Sequence, residues 1–165
     1  MDKYYYFVSE LPTLFFENRC DITIEWFLDE AQKWLIARDY QVLSRVNLMD
    51  TVTDKKEPQL LRLYKKLESH LINEVAAWRK SSLNGKEEKP FGVLLSLIQE
   101  GNPLEIEIKL LKHRWDFIEE MSTEHHFDLE FLIQYYLKLQ ILAKLALFDK
   151  ERGVEVFHRM SQVTV

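Results

Sequence analysis

Three features of this chain predict an all-α, single-domain helical bundle of about five to seven helices with a short extended N-terminal segment. Glycine and proline number only four each in 165 residues, so tight turns are scarce and long regular elements are favoured over a sandwich or barrel. Apolar residues recur at i, i+3, i+4 and i+7 through several long stretches, the spacing of an amphipathic helix. Hydrophobic residues make up 47% and charged residues 30%, a balance that fits neither a disordered chain nor a wholly membrane-embedded one. The length suits one domain, residues 1–165, with a core of its own.

The elements follow in order. Tyr4, Tyr5, Tyr6, Phe7 and Val8 form a short aromatic and β-branched run closed by Leu11-Pro12. A strand is one reading, but a lone strand has no partner, so an extended or helical segment tucked against the helices is equally open. The first firm helix starts near Asp21 or Thr23, because Ile24, Phe27, Leu28, Ala31, Trp34 and Leu35 share one face. Asp39 is read as the cap of a shorter helix running to Val46. Residues 47–56 are polar and connect.

Pro58 suits the first turn of a long helix, where its missing N–H costs nothing. The stripe of that helix is Leu60, Tyr64, Leu67, Leu71, Val75 and Trp78. Residues 81–89 are polar and contain Gly85, the best candidate for a loop. Residues 94–99 read as a short helix. Asn102-Pro103 is a strong start signal, an acceptor at the N-cap with proline at N1. Leu104, Ile108, Leu111, Trp115 and Ile118 make the stripe that follows, widened by Leu110, Phe117 and Met121. That leaves Glu105, Lys109, Lys112, Asp116 and Glu120 on the wet face.

Asp128 is expected to cap a helix over 129–148, whose polar residues are Glu130, Gln134, Lys138, Gln140 and Lys144. Its length matches a bilayer core of about 20 residues. Three charges spread along it, and the lack of a second span, favour a buried central helix instead. Asp149 is expected to open a separate, final short helix weakened by Gly153.

Charge and cysteine usage exclude some functions. The net charge is -5, and the densest basic cluster, Arg79, Lys80, Lys86 and Lys89, is diluted by Glu87 and Glu88. Such a surface cannot recover the phosphate charge that a general nucleic-acid binder needs. Cys20 is the only cysteine, so an internal disulfide is impossible and a reducing compartment is expected. The first residues carry no basic segment followed by an apolar core, so no signal peptide and a cytoplasmic location are expected.

Candidate chemistry is sparse. Di-iron bundles use two Glu-x-x-His pairs with two further glutamates; Glu155 and His158 form one pair and no second exists. His125 and His126 lie between two helices beside Glu124 and Asp128. Adjacent histidines seldom point at one zinc ion, and helix capping with loop packing is the favoured reading. His70 and Glu74, one turn apart, read as an interfacial polar pair, and His113 as solvated. Cys20 has only Arg19 as a flanking cation, too little to activate a thiolate. No phosphate-binding glycine loop and no Gly-x-Ser-x-Gly are present. No catalytic, cofactor-binding or metal-binding residue is assigned, no cofactor is expected, and binding positions stay open.

The chain does resemble a known group. Asn102-Pro103-Leu104-Glu105, Arg114-Trp115, His126-Phe127-Asp128, Tyr136-x-Lys138-Leu139-Gln140-Ile141-Leu142 and Asp149-Lys150-Glu151-x-Gly153 resemble a family of bacterial proteins encoded among V/A-type ATPase genes. Tyr4-Tyr5-Tyr6-Phe7, Leu11-Pro12 and Phe27-Leu28 extend the likeness over most of the chain. The resemblance implies a non-catalytic helical subunit or assembly factor of a V/A-type rotary ATPase, standing where the central-stalk C subunit would be. That subunit is a helical socket between stalk and rotor ring, about twice as long and built from three similar lobes, so this chain would supply part of such a socket or be a shortened member. The implied partners are ATPase subunits of the central stalk or rotor ring, at the inner membrane without insertion into it; self-association stays open. The alternatives are a generic helical adaptor or homodimer, or a metal-binding bundle built on Glu155, His158, His125 and His126.

Overall fold

The structure is a computed structural model. It describes residues 4–18, 20–85, 98, 101–122 and 125–161, the last stretch from residue 150 onward by its backbone and the Val154 side chain. Among the described residues there are six helices and no strand: α1 Tyr5–Glu10, α2 Ile24–Trp34, α3 Ala37–Ser44, α4 Gln59–Leu83, α5 Pro103–Met121 and α6 Leu129–Ser161. The all-α expectation is met.

Helix α6 is the axis around which the others are laid. It packs on α5 most extensively and also on α2, α3 and α4. Its residues Leu132, Ile133, Leu137 and Ile141 are fully buried. Phe27 of α2 stacks on Tyr135 and Tyr136 of α6, with ring centroids 5.5 and 5.6 Å away, and Phe7 of α1 lies 5.6 Å from Phe27 on its own side. Each such aromatic contact adds about 0.5–1.5 kcal/mol beyond its area burial. This cluster explains the N-terminal run. Tyr4 to Val8 is helical rather than a strand, because as α1 it turns Phe7 and Val8 into the core together. Tyr4 closes the arrangement: its N–H donates to the Phe127 carbonyl at 3.0 Å and its hydroxyl donates to Asp39. Beyond α1, none of the described residues up to Thr23 belongs to a helix or strand.

Asp39 therefore does not cap α3. The N-cap position is Ile36, with no side-chain cap, and Asp39 sits in the first turn, where a carboxylate suits the helix dipole. Pro58 stands at the N-cap of α4, one position before the first turn. The connection between α3 and α4 carries no regular structure but is firmly tied. Gln140 of α6 donates to the Val46 carbonyl and accepts from the Leu48 N–H, at 2.9 and 2.8 Å. The Tyr64 hydroxyl donates to the Leu48 carbonyl at 2.9 Å, and the Lys65 ammonium donates to the Val52 carbonyl at 2.8 Å.

Helix α5 begins as its residues dictate. Asn102 accepts from the Glu105 N–H while the Glu105 carboxylate accepts from the Asn102 N–H, a complete capping box with proline at N1. Gly101 must be glycine there: its φ is 126°, and a Cβ would meet the Glu105 carboxylate at 2.7 Å. Helices α4 and α5 meet through a smaller apolar cluster of Leu71, Ile98 and Leu110. A buried ion pair also joins them, in which Arg114 donates to both oxygens of Glu68 at 2.8 Å. Arg114 and Glu68 are 2% and 0% exposed, which the wet-face assignment of α5 had not anticipated.

The two-helix ending is corrected. One helix of 33 residues runs from Leu129 to Ser161, passing through Asp149 and Gly153 without a break. At 1.5 Å per residue it is about 50 Å long. Of the short helix expected over 94–99 only Ile98 is described, and it is helical and buried; Lys86 to Lys89 of the basic cluster fall outside the described residues.

Candidate functional site

The histidine and acid groups singled out in the sequence resolve into structural roles where they are described. Asp128 caps α6: one carboxylate oxygen accepts from the Phe131 N–H at 2.9 Å, and the other lies 2.6 Å from Nδ1 of His125. Glu130 completes a group whose potential ligand atoms lie within 4.8 Å of one another. One imidazole and two carboxylates are chemically able to meet a divalent cation. The position opposes it, because the amino end of α6 carries the positive pole of the helix dipole and Asp128 already spends both oxygens. His126 is exposed and does not join the group. Glu124, and the side chains of Glu155 and His158, lie outside the described residues, as does Arg19.

His70 and Glu74 form an i,i+4 pair at 2.9 Å with the His70 side chain 72% exposed, a solvated pair on α4. His113 is half-buried on α5 rather than facing water. Neither Glu68 nor Arg114 offers reactive chemistry, since the guanidinium occupies both carboxylate oxygens. Burial works against the charge of Arg114, yet the Glu68 contact outweighs it and its pKa is raised. The hydroxyl of Tyr64 is likewise held well above the ordinary tyrosine range, first by burial and then by the Glu68 charge.

The feature with the geometry of a site is a groove that no sequence pattern announced. It has a volume of about 690 Å³ and runs between the later part of α6, the segment before and into α2, and one residue of α5. Phe16, Ile22, Ile24, Ile108, Leu142 and Phe148 give it an apolar floor. Glu17, Glu25 and Asp149 stand at its borders, all exposed. Cys20 lines it and is half-buried. The α6 wall includes Ala143, Ala146 and Leu147, which are exposed although apolar, and Leu147 leaves 57% of its surface in solvent. Val154, two turns further along the same face, is 55% exposed.

This groove could not be read in advance, because its residues come from three separated segments and none carries a motif. The one advance signal was the scarcity of polar residues from Leu139 to Phe148, where Gln140 and Lys144 are the exceptions. Such a helix has more apolar surface than one packing face can cover.

No curated protein and no solved structure matches the chain. Residues 90–163, the stretch that holds α5 and α6, match the family described as Protein of unknown function (DUF2764).

Proposed function

We propose that this protein is a non-catalytic helical subunit or assembly factor of a bacterial V/A-type rotary ATPase, acting where the central-stalk C subunit would stand. The placement in an ATPase rests on the resemblance of the capping, Arg114-Trp115 and Tyr136 to Leu142 motifs. The observation that carries the mode of action is the apolar groove along α6 and the exposed Leu147 and Val154 beyond it. Exposed apolar surface of this kind suits a protein partner. The protein would act by shape and interface, holding stalk and rotor elements together or transmitting torque, with no bond made or broken. Its location would be cytoplasmic, at the inner membrane through the ATPase.

Helix α6 is long and apolar enough over Leu129–Asp149 to cross a membrane, but half of that window is buried inside the bundle. Lipid would have to replace α2, α3 and α5, so the helix is better read as a core element whose far end meets protein.

The test is affinity purification of the tagged chain from its native host at natural abundance, after mild cross-linking. Recovery of central-stalk or rotor subunits is the expected result, and their absence from a purification that retains the intact bundle overturns the ATPase placement. A second reading, a helical adaptor or homodimer unrelated to ATPases, draws on the same exposed surface. Light scattering on the purified chain separates the two, since a stable dimer with no ATPase subunit recovered favours the second.

A further inference from the structure

The borders of the groove say more about its occupant than its floor does. Along α6 the wall extends from Leu139 to Asp149, a rise of about 15 Å, which accommodates about three turns of a partner helix. The floor is continuous and apolar, and suits the i, i+3, i+4, i+7 stripe of an amphipathic helix laid in a groove. Three carboxylates, Glu17, Glu25 and Asp149, border this floor, and Lys112, whose ammonium lies 5.2 Å over the Phe16 ring, is paired with Asp116. A fatty acid or an anionic lipid headgroup would bring negative charge to a negative rim. An acidic helix would meet the same repulsion.

We infer that the groove between α6 and the described residues 16–18 and 20–25 is the docking site of a basic amphipathic helix of a partner protein, its apolar stripe on Phe16, Ile24, Leu142 and Phe148 and its flanking lysines or arginines on Glu17, Glu25 and Asp149. The apolar floor supplies the bulk of the affinity, while the exposed rim supplies orientation and choice of partner, as charges at the edge of an interface do. The inference rests on reading α6 as a partner-binding helix and deepens the proposed function, but it does not need the partner to be an ATPase subunit.

The probe is a designed, fluorescein-labelled helical peptide of about 15 residues with leucines on one stripe and lysines beside it. Its twin carries glutamate at every lysine position. Fluorescence anisotropy with the full chain should show the lysine peptide binding at least about tenfold more tightly than the twin at low salt, a preference that shrinks as salt screens the exposed rim. Because Cys20 is the only cysteine and lines the groove, the bound peptide should slow its alkylation by iodoacetamide, read by mass spectrometry. Ala146→Arg, at an exposed groove position, should abolish both effects with unchanged circular dichroism. Glu17→Lys with Glu25→Lys should reverse the preference between the peptides. Equal binding of the twins, binding that survives Ala146→Arg, or no binding overturns the inference. Dimerisation that Ala146→Arg abolishes assigns the groove to a second copy, and adsorption to phosphatidylcholine vesicles that the same substitution abolishes assigns it to lipid; either overturns it too. A failed peptide experiment leaves co-purification with ATPase subunits intact, and a failed co-purification leaves the peptide result intact, so the two readings fall separately.

Discussion

Between residues 132 and 142, helix α6 is enclosed by the bundle: Leu132, Ile133, Leu137 and Ile141 have no exposed surface, and even Gln134 is buried. From residue 143 onward the same helix shows Ala143, Ala146, Leu147 and Val154 to solvent. As far as Phe148 the amino acids on the two sides of this boundary are similar in kind, so composition does not set the difference there. What changes is how closely the neighbours approach: α2, α3, α4 and α5 pack on the helix, while among the described residues the stretch 143–149 faces a groove, with the segment leading into α2 and Ile108 of α5 on its other sides. A helix in water gains little from propensity alone and draws most of its stability from burying an apolar face. The first half has that burial built in. The second half borrows helical continuity from the first and leaves its apolar face available for a partner.

Charge gives the sharpest way to break this comparison. Arg114 and Glu68 form a bidentate pair with both side chains all but excluded from solvent. Lys144 and Glu107 form a looser pair at 3.7 Å beside the second half of α6, each with about a third of its side chain exposed. Arg114→Ala strands a buried carboxylate and should cost about 3–5 kcal/mol. Lys144→Ala releases one end of a solvated pair and should cost no more than about 1 kcal/mol. Urea denaturation of the two variants measures both losses, and equal losses would mean that the bundle does not divide as described. Replacing Glu68 and Arg114 together by leucine and methionine should recover most of the loss, since the destabilisation comes from leaving one charge unpaired.

The apolar residues make the same contrast with a smaller spread. Leu137 is fully buried and Leu147 is 57% exposed. Leu137→Ala opens a cavity and should cost about 2–5 kcal/mol. Leu147→Ala removes a side chain already in water and should stay within about 0.5 kcal/mol. Native-state hydrogen exchange provides a check that needs no substitution. Amides of 132–142 should open only with global unfolding, whereas those beyond 148 should exchange through local fraying. A loss of stability at Leu147 matching that at Leu137 would show the second half of α6 to be core as well.

The boundary itself was only partly legible in the sequence, and the reason is physical. Three local start signals hold where one or two residues decide the outcome, with Thr23 taking the place left open between it and Asp21, whereas the cap expected at Asp39 does not form. Thr23 accepts from the Trp26 N–H, Asn102 and Glu105 build a capping box, and Asp128 accepts from the Phe131 N–H. Each is a backbone rule acting over three residues. Asp149 looked like another such start, but a helix already held by burial upstream extends at low cost, and one glycine at residue 153 costs only about 1 kcal/mol against alanine. The buried Arg114–Glu68 pair was invisible because its members stand 46 positions apart and each alone reads as an ordinary helix-surface charge. The groove was invisible for the same reason: Phe16, Ile108 and Phe148 are brought together only by the packing of the bundle. For the candidate site, sequence gave the surplus of apolar surface on α6 and nothing of the carboxylates that border it.

The smallest effect separates the tied connection before α4 from the rest of the surface, and its sign follows from two side chains. Lys65 is buried, and its ammonium reaches Asp50 at 2.8 Å and Glu57 at 2.6 Å. The Lys65 hydrogen bond, followed by the Val52 N–H, holds the Asp50 carboxyl below the usual carboxylate range. A group depressed in the folded state contributes stability above its unfolded pKa and loses it as pH falls through the folded value. Lys65 runs the other way: burial opposes its charge, but Asp50 and Glu57 outweigh that and raise its pKa. Its contribution is complete below the ordinary lysine range and is lost as pH rises through and beyond it. Urea midpoints taken from pH 7 down to pH 3 should therefore fall less steeply for Asp50→Asn than for the unaltered chain. Because Asp50 is one-third exposed, the difference should be no more than about 1 kcal/mol. On the alkaline side, where Asp50 stays ionised, Lys65→Met should flatten the loss above pH 10 and Asp50→Asn should reduce it only in part, because Glu57 still holds the ammonium. An acid slope that Asp50→Asn leaves unchanged would mean that other carboxylates govern it, and that the connection is held by the hydrogen bonds of Gln140 and Tyr64 rather than by charge.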